Sequence, residues 1–254
     1  ARGCGPKPRT MVFWRPKPMR MRHLLNALPA LILLSCGGPG PEQPAQADPG
    51  AGTGGGAATA SAASERDRWQ KPEVILGLMV NIAHMTVADL FADDGYFTFK
   101  LIEAGANVIA VVNDAGQAER IEAEKKRRSL GDDRLQVRVV PVGDPGIRNA
   151  EADMALIVHR FVGIHDKRDF FKRMRDGMKY PRYLVMVEWQ NRQTEMGPPL
   201  SERLPSDRIM DLVGEVSEYS DVGAHSDKVP DQVVFLINDY IDPGAGGEII
   251  ETPQ

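Results

Sequence analysis

The stretch VADLFADDGYFTFKLIEAGANVIAVV, residues 87–112, decides the fold. Its first part belongs to an apolar run of strand length, TVADLF (86–91), broken by a single acid, Asp89. Residues 96–105, YFTFKLIEAG, read as a helix, with Gly105 placed as its C-terminal cap. NVIAVV (107–112) is a second apolar strand. Strand, tight turn, helix and strand in such close succession make a βαβ unit, which requires the two strands to be parallel.

The same alternation continues toward the C-terminus. AGQAERIEAEKKRRSLG (115–131) is a helix with acids early and bases late, in agreement with its dipole. LQVRVVPV (135–142) and DMALIVH (153–159) are a third and a fourth strand. DKRDFFKRMRDGMK (166–179) carries a helical stripe of Phe170, Phe171 and Met174, and YLVMVEW (183–189) is a fifth strand. SDRIMDLVGEV (206–216) is helical, and QVVFLIND (232–239) is the last strand. Val, Ile and Leu crowd these strands without clean alternation, as in a sheet covered on both faces. The pattern predicts an α/β domain with a doubly wound, mostly parallel sheet. Ligands of such sheets sit beyond the carboxyl ends of the strands, so the turn after Asp89 is the expected site.

Composition bounds the rest. The chain has 254 residues, 42% of them hydrophobic, and a net charge of -4. That suffices for one domain with appendages, and the mild acidity speaks against a nucleic-acid partner. Cys4 and Cys36 both precede the patterned region, which excludes a disulfide framework or a cysteine-based zinc site from the core.

No acid occurs before Glu42, whereas Arg15, Lys17, Arg20 and Arg22 precede the short apolar run LLNALPALILLSC (24–36). This is the order of a secretory signal, and the run falls short of the roughly 20 apolar residues that span a bilayer. Leu33-Leu34-Ser35-Cys36 resembles a bacterial lipobox, in which Cys36 would be lipidated; translation from Met11, Met19 or Met21 fits that reading. Residues 37–64 are mostly Gly, Pro, Ala, Ser and Thr and read as a flexible linker. The expected division is a signal segment (1–36), a linker (37–64), a folded domain (65–243) and a tail (244–254). The expected location is the cell envelope or periplasm, with a lipid anchor holding the protein to a membrane without spanning it.

Residues 87–112 resemble the first two strands of class I S-adenosylmethionine-dependent methyltransferases. The resemblance covers most of residues 66–240 and includes RDRWQKP (66–72), GDP (143–145) and GPP (197–199). It is most specific to signal-peptide-bearing bacterial members, which read roughly VADLGAGTGYFT here. It implies a Rossmann-like, seven-stranded sheet and S-adenosylmethionine as cofactor. It assigns Asp89 to positioning the methionine ammonium, Gly95 to the last glycine of the cofactor turn, and Asp144 to the adenine amino group. An Asp-Pro turn explains Asp144 equally well.

Other positions depart from the family. Phe91 and Asp93 stand at the two earlier glycines of the turn, where glycine permits positive φ and close approach of backbone. A phenyl ring there projects toward the cofactor, and Asp93 and Asp94 place like charge beside its carboxylate. The acid expected to hold the ribose falls at Val112; Asp114, two residues later, reads as a helix N-cap or, with a shifted loop, as a substitute. After the fourth strand His159 replaces an acid, Phe161 keeps an aromatic and Val162-Gly163 replace two histidines, while MKYPRY (178–183) replaces a glycine turn.

Two functions follow. One is a methyltransferase-like lipoprotein with an eroded cofactor site, whose partner is another small molecule or an envelope protein. The other is an active enzyme transferring a methyl group by in-line displacement, which depends on positioning and needs no general base. His159, His165 and Asp166 lack a fourth ligand for a metal, and EKKRRS (124–129) reads as a solvated helix end or an anionic contact. No phosphate loop or nucleophile elbow occurs.

Overall fold

The computed structural model describes residues 65–239. The expected signal segment, the linker, Cys36 and the tail lie outside the described residues.

Seven strands form one sheet: β1 (Thr86–Leu90), β2 (Asn107–Val112), β3 (Leu135–Val139), β4 (Ala152–Val158), β5 (Met178–Trp189), β6 (Asp221–His225) and β7 (Gln232–Asn238), in the order β3-β2-β1-β4-β5-β7-β6. β3, β2, β1, β4 and β5 run parallel, while β7 lies antiparallel to both β5 and β6. The helices are α1 (residues 65–70), α2 (Pro72–Leu78), α3 (Tyr96–Glu103), α4 (Ala115–Arg127), α5 (Lys167–Asp176) and α6 (Ser206–Val216).

The continuous apolar runs are explained by the two layers they feed. Ala88, Leu90, Ile109, Val111, Ala155 and Ile157 pack with Phe170, Phe171, Ile209 and Val213 of α5 and α6. Their neighbours Val87, Val108, Ala110, Met154 and Leu156 pack on the opposite face with Ile75, Leu101 and Ile121 of α2, α3 and α4. Successive strand residues point to opposite faces, so a sheet covered twice needs apolar residues at every position. Each fully buried Phe, Leu, Ile or Met contributes roughly 1.5–3 kcal/mol.

Glycine sets both ends of α3. Gly95 caps its start at φ 80, and Gly105 follows its end at φ 94, a region that costs other L-residues energy. Other boundaries differ from the sequence expectation. β3 ends at Val139, and Pro141 has no N–H with which to extend the ladder. β5 begins at Met178 rather than Tyr183, with a register irregularity opposite Ala152/Met154. The edge strand β6 and the helix α2 are additions. β6 is polar and largely solvated, and α2 is split from α1 by Lys71 at φ 48. Among the described residues no helix is long and apolar enough to cross a membrane.

Candidate functional site: a divided cleft at the carboxyl edge

β1 delivers its chain into a turn with left-handed backbone at three alternate positions, φ 63 at Phe91, 51 at Asp93 and 80 at Gly95. These are the positions at which the resemblance calls for glycine, so the backbone path of a G-x-G-x-G turn is kept with side chains on it. The path is pinned by Ala92 N–H donating to Val111 O and Gly95 N–H donating to Ala92 O, each at 2.8 Å. A left-handed residue with a Cβ costs roughly 1–2 kcal/mol. Phe91 offsets that cost by stacking on Phe170, with ring centroids 5.7 Å apart and planes at 20°. The two acids of the turn are also compensated. Arg160 donates from Nη2 to both oxygens of Asp93 at 2.5 and 2.6 Å, and Arg66 Nη1 lies 3.0 Å from Asp94. The two acids expected to face a cofactor carboxylate are therefore each paired with an arginine distant in the chain.

Asp89 lies beneath the turn, 3% exposed, and accepts a 2.6 Å bond from Thr98 Oγ1. Burial pushes its carboxyl up to about 7; the Thr98 bond opposes this, and the charges of Asp93 and Asp94 add to it. Asp89 lines a cavity of about 270 Å³ with Arg66, Phe91, Asp93, Tyr96 and Arg160.

At the end of β2 the ribose position is apolar, since Val112 is fully buried. Asn113 donates from Nδ2 to Val140 O and Pro141 O, tying β2 to the chain after β3. Asp114 caps α4 by accepting from Gln117 N–H at 3.0 Å, the helix-cap alternative raised by the sequence. Asp144 accepts from Gly146 N–H at 2.8 Å, and its other oxygen faces Arg173 at 3.4 Å. Asp144 is thus committed to its turn. It lies outside the lining of the larger cavity of about 540 Å³, which includes Phe91, Asn113, Asp114, Gln117 and Arg173.

The 540 Å³ and 270 Å³ cavities share Phe91, Asp93 and Arg160 as a common wall. These three side chains therefore stand where the two cavities meet, on the line from Asp89 toward the end of β2. With Phe91 and the Asp93–Arg160 pair at that junction, no acceptor at Val112 and Asp144 bonded to Gly146 and Arg173, these residues do not match the set through which the resemblance would hold S-adenosylmethionine.

A third cavity of about 480 Å³ opens on the other side of His159, between Glu188, Trp189, Arg203, Leu204 and Ile209. The sequence reading passed over Glu188, although one acid inside the apolar run VMVEW was the available signal. Glu188 is 4% exposed and accepts from Phe161 N–H at 2.8 Å. Burial pushes its carboxyl up to about 7, against the backbone N–H groups of Phe161, Val162 and Trp189 and the charge of Lys167. His159, at φ 55, stacks on Trp189 at 4.2 Å, and Trp189 stacks on Trp69 at 5.5 Å. Gln232 donates from Nε2 to Trp69 O and Pro230 O, so its Oε1 faces His159 Nε2 at 3.1 Å as the acceptor. That fixes the Nε2–H tautomer and leaves a lone pair on Nδ1. Burial holds His159 down to about 3, so the ring is neutral.

His165 and Asp166 line the 540 Å³ cavity, away from His159, and Asp166 caps α5 through Asp169 N–H. Among the described residues no group of three or more His, Cys, Asp or Glu is placed to hold a metal ion. In the run 124–129, Glu124 is held between Arg127 and Arg128, and Lys125 is buried against Asp132.

No protein-family model matches the chain, and no curated protein matches its sequence. Solved structures match its fold. A methyltransferase dependent on S-adenosylmethionine from Aquifex aeolicus superposes with a TM-score of 0.63 at 15% identity, over 71% of this chain and 98% of that one. A geranyl diphosphate methyltransferase in complex with S-adenosylmethionine gives 0.56 at 15% identity, over 76% and 93%. The cyclase SpnF gives 0.56 at 10% identity, over 68% and 82%. At these identities the likeness establishes the fold, and that fold is the one shared by the S-adenosylmethionine-dependent methyltransferases.

Proposed function

We propose that this chain is a methyltransferase-fold lipoprotein of the cell envelope, held to a membrane through Cys36, that no longer uses S-adenosylmethionine. The observation that carries the reading is the placement of Phe91 and the Asp93–Arg160 ion pair where the two cavities of the cleft meet. Val112 in place of a ribose acceptor and the prior engagement of Asp144 support it. The neighbour SpnF, a cyclase, is an instance of the fold carrying another activity. The natural ligand is then a different small molecule or an envelope protein.

The test is the thermal midpoint of the full chain with S-adenosylhomocysteine or S-adenosylmethionine at millimolar concentration. A ligand at 100 times its dissociation constant adds about 2.7 kcal/mol. No shift is expected. The changes Phe91→Gly, Asp93→Gly and Val112→Asp together should create one. Replacing Cys36 by Ser should release the protein from membranes; unchanged association would end the lipoprotein reading.

The second reading is an active methyltransferase with an unknown acceptor. It is favoured by the left-handed backbone retained at residues 91, 93 and 95 above the buried Asp89. A saturable shift with the unaltered chain would establish it and overturn the first.

A further inference from the structure

The 480 Å³ cavity beside Glu188 is apolar over most of its wall, through Val162, Trp189, Pro198, Leu204 and Ile209. Its charged groups are not balanced. Glu188 faces it, buried, with backbone N–H donors and no ion pair among the described residues, and Glu202 stands at the same cavity. Arg203 is the wall's one cation, and its fork is already engaged. Nε donates to Pro198 O at 2.8 Å, Nη1 to Gln190 O, Arg192 O and Thr194 Oγ1, and Nη2 to Met196 O at 3.0 Å. Lys167 likewise donates to Val162 O and Ile164 O. A ligand anion would meet two carboxylates and find both cations taken.

We propose that this cavity binds a small organic amine as its cation, with the ammonium on the Glu188 carboxylate and the apolar body against Trp189, Leu204 and Ile209. A buried carboxylate with no ion-pair partner in contact, only the more distant charge of Lys167, gains most from a ligand that brings a cation to it. The Trp189 ring, already stacked on His159 with Arg203 over it at 5.6 Å, offers apolar contact only, and neutral His159 adds no repulsion. Nothing in this assignment depends on the state of the cofactor cleft, because the cavity lies beyond His159 and does not include Phe91, Asp93 or Arg160.

Three ligands of one shape and different charge test it: cyclohexylmethylamine, cyclohexylmethanol and cyclohexanecarboxylate, titrated calorimetrically into the full chain at pH 8. The amine should bind saturably, about tenfold or more tighter than the alcohol, and the carboxylate most weakly. Glu188→Gln should reduce the amine to the level of the alcohol. Leu204→Trp, which fills the cavity from its apolar side, should remove both. Equal or tighter binding of the carboxylate, or no binding of the amine at millimolar concentration, would overturn the proposal. So would amine affinity unchanged in a folded Glu188→Gln chain. If Glu188→Gln does not fold, the order of the three ligands on the unaltered chain and the loss in Leu204→Trp decide. Cofactor binding is read separately, by the thermal shift described above, so either result can fail without the other.

Discussion

Arg160 reaches across the mouth of the carboxyl-edge cleft to hold both carboxylate oxygens of Asp93 at 2.5 and 2.6 Å, joining the loop after β4 to the turn after β1. The side chains are 47% and 40% exposed, so the pair belongs to the class worth about 0–1 kcal/mol. Its importance lies in what it stands in front of. Arg160→Ala should change the urea midpoint by the equivalent of less than about 1 kcal/mol and should not by itself produce a thermal shift with S-adenosylhomocysteine, because Phe91 and Val112 remain. A shift in the single variant would make the ion pair the sole obstruction.

The left-handed backbone at Phe91 gives an inverted order of two substitutions. Phe91→Ala loses the stack on Phe170 and keeps the strain at φ 63; Phe91→Gly loses the same stack and relieves the strain. The glycine variant should therefore be the more stable of the two by about 1 kcal/mol in chemical denaturation. An alanine variant of equal or greater stability would show that the turn is relaxed.

Stability should fall as pH rises from about 4 to about 7 and level off above it. Asp89 and Glu188 are both raised to about 7 in the fold, so each contributes stability below its unfolded value that is lost as pH rises through the folded one. His159 works in the opposite sense, but only as pH falls below its ordinary 6.5 toward about 3. Asp89→Asn can still accept the Thr98 hydroxyl and should flatten the decline, its advantage over the parent growing by about 2–3 kcal/mol between pH 5 and pH 8. An unchanged slope would mean that Asp89 ionises at an ordinary pH.

Arg203 holds residues 190–198 by donating to four backbone carbonyls and one hydroxyl. Lysine keeps the charge and loses the fork, so Arg203→Lys should cost about 2 kcal/mol and leave buried carbonyls unbonded. Limited proteolysis should then cut within 190–199 before the sheet unfolds. Resistance equal to the parent would show that the segment is held by other contacts.

Much of this arrangement was visible in the sequence, because it depends on local rules. The βαβ opening followed from period and glycine placement, and Asp114 as an N-cap needed only the helix behind it. The unreadable parts depend on distant partners. Asp93 and Asp94 read as uncompensated charges beside a cofactor carboxylate because Arg160 and Arg66 lie 67 and 28 residues away. Phe91 read as a ring aimed at the cofactor, whereas it packs toward Phe170 of α5 while still walling the cleft. β6 was missed because DVGAH, an edge strand with no fully buried residue, lacks an apolar signature. Glu188 was missed although it is the one acid in VMVEW, because the cavity it faces is completed by residues 198–209, distant from the strand in sequence.

The ring array of Trp69, Trp189 and His159 has an optical consequence. Trp69 belongs to α1, and its carbonyl is held by Gln232 of β7, while its indole lies 5.5 Å from that of Trp189 on β5. Two indoles at that separation share excitation, and the neutral imidazole beside Trp189 does not quench as a charged one would. The protein therefore carries its own unlabelled gauge of whether the helix before the sheet is seated, readable by near-ultraviolet circular dichroism independently of global unfolding.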